Sequence, residues 1–170
     1  MTSAQEQTHA DSIEDAEDGS VHEPAASGDT VDPGTYNDFV TSVALTAINV
    51  VGIGGERRAA GEATQTRFDL GAAYQVETDA VHYRFDATGQ LTDGAGTDYG
   101  QVSASVVLTL TLTAPAPPPP CIERFGSMTA TMVVHPYLRE ALASTALRLG
   151  FGGVLLPLIT QPSEHVKRGG

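Results

Sequence analysis

The stretch His135–Leu158, HPYLREALASTALRLGFGGVLLPL, decides how this chain is read. Leu138, Ala141, Leu142, Thr145 and Leu149 recur at helical spacing and form one apolar stripe, while Arg139, Glu140 and Arg148 fall elsewhere on the surface. Pro136 suits a first helical turn, where its missing N–H would have no partner, so the spacing predicts a helix from Pro136 to about Leu149. Gly150 is placed to close that helix in a left-handed conformation. From Phe151 to Ile159 no residue is charged, and all but the two glycines are apolar. A single helix does not need such a strip for its own cover, so another surface must bury it.

Upstream the period falls to two. Val81, Tyr83, Phe85 and Ala87 alternate with His82, Arg84 and Asp86, the pattern of a strand with one buried face. Between Tyr99 and Thr113, Val106, Leu108, Leu110 and Leu112 oppose Val107, Thr109, Thr111 and Thr113. Residues 66–74 place Phe68, Leu70 and Ala72 on one face. From Phe39 to Ile53, β-branched and small apolar residues favour a long strand whose two faces are both apolar, which predicts cover on each side. Gly52, Gly54 and Gly55 loosen the chain, and Glu56 to Glu62 read as a polar connector.

Asp93-Gly94-Ala95-Gly96 supplies a turn, and APAPPPP at 114–120 reads as a stiff polyproline spacer, a connector rather than a ligand for an SH3-type domain. Residues 122–134 fit either a short helix or an extended lead-in. Four strands followed by helical sequence make an α+β fold: a four-stranded antiparallel sheet with a main C-terminal helix packed on one face.

Charge divides the 170 residues unevenly. Residues 1–35 hold nine acids and no Lys or Arg, and so supply −9 of the net −12. With almost no large apolar side chain, that segment cannot offset its ordering entropy. The expected organisation is a disordered acidic tail over 1–35, a domain over 36–160 and a flexible C-terminal tail over 161–170. The tail's expected role is solubility, since like charges hinder aggregation.

Several function classes find no support. An acidic chain whose only basic pairs are Arg57-Arg58 and Lys167-Arg168 lacks the clustered cations that nucleic acid requires. No signal-peptide pattern and no apolar run approaching ~20 residues is present, so a cytoplasmic protein without membrane insertion is expected. His9, His22, His82, His135 and His165 have no partner at metal-ligand spacing and read as solvated histidines. Cys121 is the one cysteine, beside four prolines, and reads as an inert thiol rather than a nucleophile. The Gly52-Ile53-Gly54-Gly55 run lacks dinucleotide-loop spacing. Neither catalysis nor a cofactor is expected.

What remains is surplus apolar surface in three strips: Ile48 to Ile53, the Phe68/Leu70 face, and Val154 to Ile159. Taken one residue at a time, core or subunit interface accounts for them. Together they exceed what one helix covers, which points to self-association or a partner.

Pro136-Tyr137-x-Arg139-Glu140, followed by Gly150-Phe151 and Val154-x-Leu156, resembles the C-terminal part of the SecB family of export chaperones. The likeness extends over roughly 36–160 and takes in the strand pattern and the linker before the helix. It implies a cytoplasmic homotetramer, a dimer of dimers, that holds unfolded precursor polypeptides in an export-competent state. Carried over by position, the client-binding residues would be Val50, Val51 and Ile53, then Phe68 and Leu70, then Val154, Leu155 and Leu156.

Departures from the family are specific. Gly152 and Gly153 stand where it usually has proline and a larger residue, and Pro157 comes one place early. The Cys/His-rich zinc tail is missing, which puts docking on the translocase motor in doubt. These features point to the divergent branch that some bacteria pair with a toxin–antitoxin system, with an aggregation-prone antitoxin as client. The rival readings are a dedicated antitoxin chaperone and a structural protein that uses its apolar strips for self-assembly.

Overall fold

Alternating side chains commit the middle of the chain to a sheet. The computed structural model describes residues 31–152 and 166–168. Strands β1 (Val43–Arg57), β2 (Gln65–Val76), β3 (Ala80–Thr92) and β4 (Asp98–Leu112) pair antiparallel in the order β1-β4-β3-β2. A short fifth strand, β5 (Val166–Arg168), runs parallel to the outer edge of β2, opposite Ala72–Tyr74. The four expected antiparallel strands are therefore present. Residues 166–168, expected in a tail, are instead a strand.

Helices cover one face. α1 (Pro33–Ser42) precedes the sheet, and α2 (Pro119–Phe125), a π-helical turn (Gly126–Ala130) and α3 (Thr131–Arg148) follow it. α3 lies mainly on β4 and β1, while α2 meets β3 and β2 through Tyr83 and Tyr74. The helical layer therefore crosses the sheet diagonally. Its far end rests on Gly55 of β1, where any Cβ would meet Leu149 Cδ1 at 2.8 Å and Thr145 Cγ2 at 3.0 Å.

Burial follows the sequence pattern. Val81, Tyr83, Phe85 and Ala87 of β3 and Val102, Ala104, Val106, Leu108, Leu110 and Leu112 of β4 face the helices. They meet Leu138, Ala141, Leu142 and Thr145, the stripe expected of α3. Phe39, Ile122, Phe125 and Val134 complete the core, with the Phe39 and Phe125 rings edge-on at 5.4 Å. Gly150 adopts φ 78°, and Phe151 N–H donates to Ala146 C=O at 2.8 Å while Gly150 N–H donates to Leu147 C=O at 3.0 Å. These paired bonds close α3 as a left-handed cap requires. Gly150→Ala should therefore cost about 1–2 kcal/mol from backbone strain alone, read as a lower urea midpoint at unchanged slope.

Four local expectations are corrected. The chain from Phe39 to Ser42 is helix, not strand: the Asp32 side chain accepts from Thr35 N–H at 2.8 Å, Pro33 opens α1, and Phe39 plugs into the core. Pro136 does not start the main helix but lies inside α3. It removes the bond to the Met132 carbonyl, and because Met132 and Pro136 are exposed, that carbonyl can turn to water. The proline spacer ends at Pro118, because Pro119 and Pro120 already belong to α2. β1 continues to Arg57 and is not covered on both sides, since it is the outer strand of the sheet and most of its residues are exposed.

Candidate functional site

Strand register places the client-binding candidates. Val50 pairs with Val106 and Ile53 with Ala104, both buried under the helices, so Val50 and Ile53 project from the same face. Leu45, opposite Leu110, joins them. β1 has β4 on one side and, among the described residues, no strand on the other, so their cover is incomplete: Leu45 is 51 %, Val50 44 % and Ile53 57 % exposed. Val51, 53 % exposed, is the extra residue where the β1–β4 register shifts between Val50 and Gly52. A second register shift falls between Leu45 and Ala47. Such bulges bend and twist an edge strand and leave a residue unpaired.

Phe68 and Leu70 sit at the opposite side of the same face, half-buried against the core. Phe68 pairs with Gly89, and its ring lies over that bare backbone. Leu70, Ala87, Ala104 and Ile53 form one cross-strand row, and its two alanines are buried. Three strand spacings, about 14 Å, separate Ile53 from Leu70. The structure therefore brings Val50, Val51 and Ile53 together but sets Phe68 and Leu70 apart, on the far flank. Val154, Leu155 and Leu156 lie outside the described residues.

The motif residues of α3 point outward. Pro136, Tyr137 and Glu140 are exposed and Arg139 is half-buried. On the solvent side of the helical layer, Met132 and Leu147 are 70 % and 72 % exposed, with Met128 close to half. Sequence reading missed Leu45, Met132 and Leu147 as surface groups. The i, i+4 spacing of Met128 and Met132, off the buried stripe, was the available signal.

The opposite face of the sheet is polar and small-residued. Ser103, Ser105, Thr109 and Thr111 of β4 line up with Asn49, Gly52 and Gly54 of β1. Arg84 donates to Asp86 at 3.0 Å, and Ser105 donates to the same carboxylate. Partial burial pushes the Asp86 carboxyl up, but these two donors outweigh it and hold it below the ordinary carboxylate value. His82 shares a hydrogen bond with Thr109 Oγ1 at 3.0 Å and lies 3.6 Å from Glu77. An apolar segment would have to desolvate these groups, so this face is the poorer host for one.

Among the described residues no three His, Cys, Asp or Glu side chains converge as a metal site would require. Cys121 is buried, which pushes its thiol pKa up and away from a reactive thiolate. His135, expected to be solvated, is buried within α3. Among the described residues no helix is long and apolar enough to cross a membrane.

No protein-family model and no curated protein matches the chain. A solved structure does. The Mycobacterium tuberculosis Rv1957 SecB-like chaperone, in complex with a ChAD peptide from the Rv1956 HigA1 antitoxin, superposes with a TM-score of 0.67. The fold is SecB-like. The match covers 76 % of this chain and 99 % of that one at 12 % identity, so the likeness is one of architecture rather than of side chains. That fold comprises the four-stranded antiparallel sheet and the C-terminal helix packed on one face that the sequence predicts.

Proposed function

We propose that this protein is a SecB-like molecular chaperone, a holdase that binds unfolded polypeptide and carries out no catalysis. The observation that supports it best is the cluster Val50, Val51 and Ile53, exposed on the outer strand of a SecB-like sheet. Each apolar side chain that a client buries contributes ~1.5–3 kcal/mol at full burial. Ordering the client offsets much of this, so one apolar edge binds weakly. Repetition of that edge around a homotetramer, a dimer of dimers, multiplies the effective affinity for one long chain. The outer side of α3, with Met132 and Leu147, offers apolar surface for such an assembly.

The site of action is the cytoplasm, and the clients are precursor polypeptides kept competent for export. Phe68 and Leu70 extend the client surface on the second flank, and Val154, Leu155 and Leu156 are further client-binding candidates.

Calorimetric titration with reduced, carboxymethylated α-lactalbumin, a permanently unfolded chain, tests this reading. Burial of apolar surface predicts a negative heat-capacity change and weak dependence on salt. Steep loss of affinity with salt and no heat-capacity change would instead indicate charge recognition.

A second reading is favoured by the antitoxin peptide in the Rv1957 complex: a dedicated chaperone whose client is one antitoxin. A toxin–antitoxin gene pair beside the coding sequence, and stabilisation of that antitoxin on co-expression, would select it. A purely structural assembly would bind no unfolded chain in the titration above.

A further inference from the structure

Arg57 ends β1, and its guanidinium bonds to backbone on two separate segments. Nε donates to Ala59 C=O at 3.1 Å and Nη2 to Gly61 C=O at 2.7 Å, both in the connector before β2. Nη1 donates to Leu149 C=O and Gly150 C=O, each at 3.0 Å, at the end of α3. The guanidinium carbon also lies 4.6 Å from the centre of the Phe151 ring, a cation–π distance, and Phe151 is buried. Gly150 is fitted to this arrangement, since a Cβ there would come within 2.8 Å of Nη1. No other side chain type offers a planar fork of donors together with a flat face to stack.

Neighbouring Arg58 provides the contrast. It pairs with Glu56 and Asp98 and has no bond to α3.

We infer that Arg57 is a positioning residue for polypeptide binding: it pins the exit of α3 to the connector and so fixes the helix end beside the apolar edge at Ile53. This rests on the chaperone reading above. Arg57 is exposed, so its bonds contribute modestly to global stability. They instead hold two glycine-containing segments in one arrangement, which is preorganisation of the site. Loss of the fork lowers the fraction of molecules in the binding-competent arrangement, and apparent affinity falls by that fraction.

The test compares Arg57→Gln, Arg57→Lys and Arg58→Gln in the full chain. Association and dissociation rates with fluorescent carboxymethylated α-lactalbumin are measured beside amide hydrogen exchange at residues 59–64 and 150–151. Arg57→Gln should slow association roughly five- to tenfold, leave dissociation nearly unchanged, and speed exchange at both segments. Arg57→Lys should stay impaired because it keeps the charge and loses the fork, whereas Arg58→Gln should bind as wild type. Recovery by Arg57→Lys, equal loss in Arg58→Gln, or unchanged exchange in Arg57→Gln would each overturn the assignment. Failure of the wild type itself to bind would remove the chaperone reading, and the positioning role with it, whatever the exchange data show.

Discussion

Tyr83→Ala is expected to remove most of the stability of this domain. The ring is fully buried, 6.0 Å from Phe125 and 6.4 Å from Phe85, and its hydroxyl donates to Ile122 C=O at 2.8 Å. Burial raises the phenol pKa far above its ordinary value, so the group remains a neutral donor throughout the working pH range. Deleting a buried aromatic costs about 3–5 kcal/mol, and losing the hydroxyl's bond to Ile122 C=O, an oxygen that Gly126 N–H also reaches, adds about 1 kcal/mol. Against a typical total of about 5–15 kcal/mol, that is a large share. Tyr83→Phe, which loses only the hydroxyl, should cost about 1 kcal/mol. Urea denaturation of the three proteins reads both numbers. A loss below about 1 kcal/mol for Tyr83→Ala would mean that α2 is not docked on β3.

Paired substitution Val50→Asp with Ile53→Asp should act in the opposite sense, with little effect on stability and a large one on binding. Both side chains are about half-exposed on an edge strand, so the folded state has little to lose. A bound client, by contrast, would meet two charges where it needs apolar cover. Losing ~1.5 kcal/mol of burial at each site corresponds to roughly 100-fold in affinity. The measurement is the dissociation constant for unfolded α-lactalbumin in variants whose urea midpoints match wild type. Undiminished binding would move the client surface away from β1.

The strength of each sequence signal tracks how local its physical cause is. In β3 and β4 side chains alternate between core and water, and in α3 the stripe from Leu138 to Leu149 meets one sheet, so both patterns are written in consecutive residues. Gly150 is equally local, because only its own φ and the cap bonds are at stake. α1 was hidden because its β-branched and polar residues carry weak helix propensity. The cap at Asp32-Pro33 and the docking of Phe39 on Phe125 form it instead. Pro136 misled because a proline signals a helix start only when nothing helical precedes it, and the π-helical turn does.

The candidate site was legible in its chemistry but not in its layout. The apolar character of Val50, Val51, Ile53, Phe68 and Leu70 is plain in the sequence. Their separation follows from the strand order β1-β4-β3-β2, a long-range fact that no local pattern encodes. The two apolar faces of β1 read as doubly buried, yet nothing among the described residues covers its outer edge. An apolar edge strand of this length is a natural template for another chain.

Aggregation of a chemically unfolded export precursor, diluted into buffer with and without the full-length protein, tests the central claim most directly. Light scattering should stay low when the wild type is present. It should rise again with Ile53→Asp at unchanged oligomeric mass. Aggregation that proceeds equally with and without a well-folded wild-type assembly would contradict a general holdase.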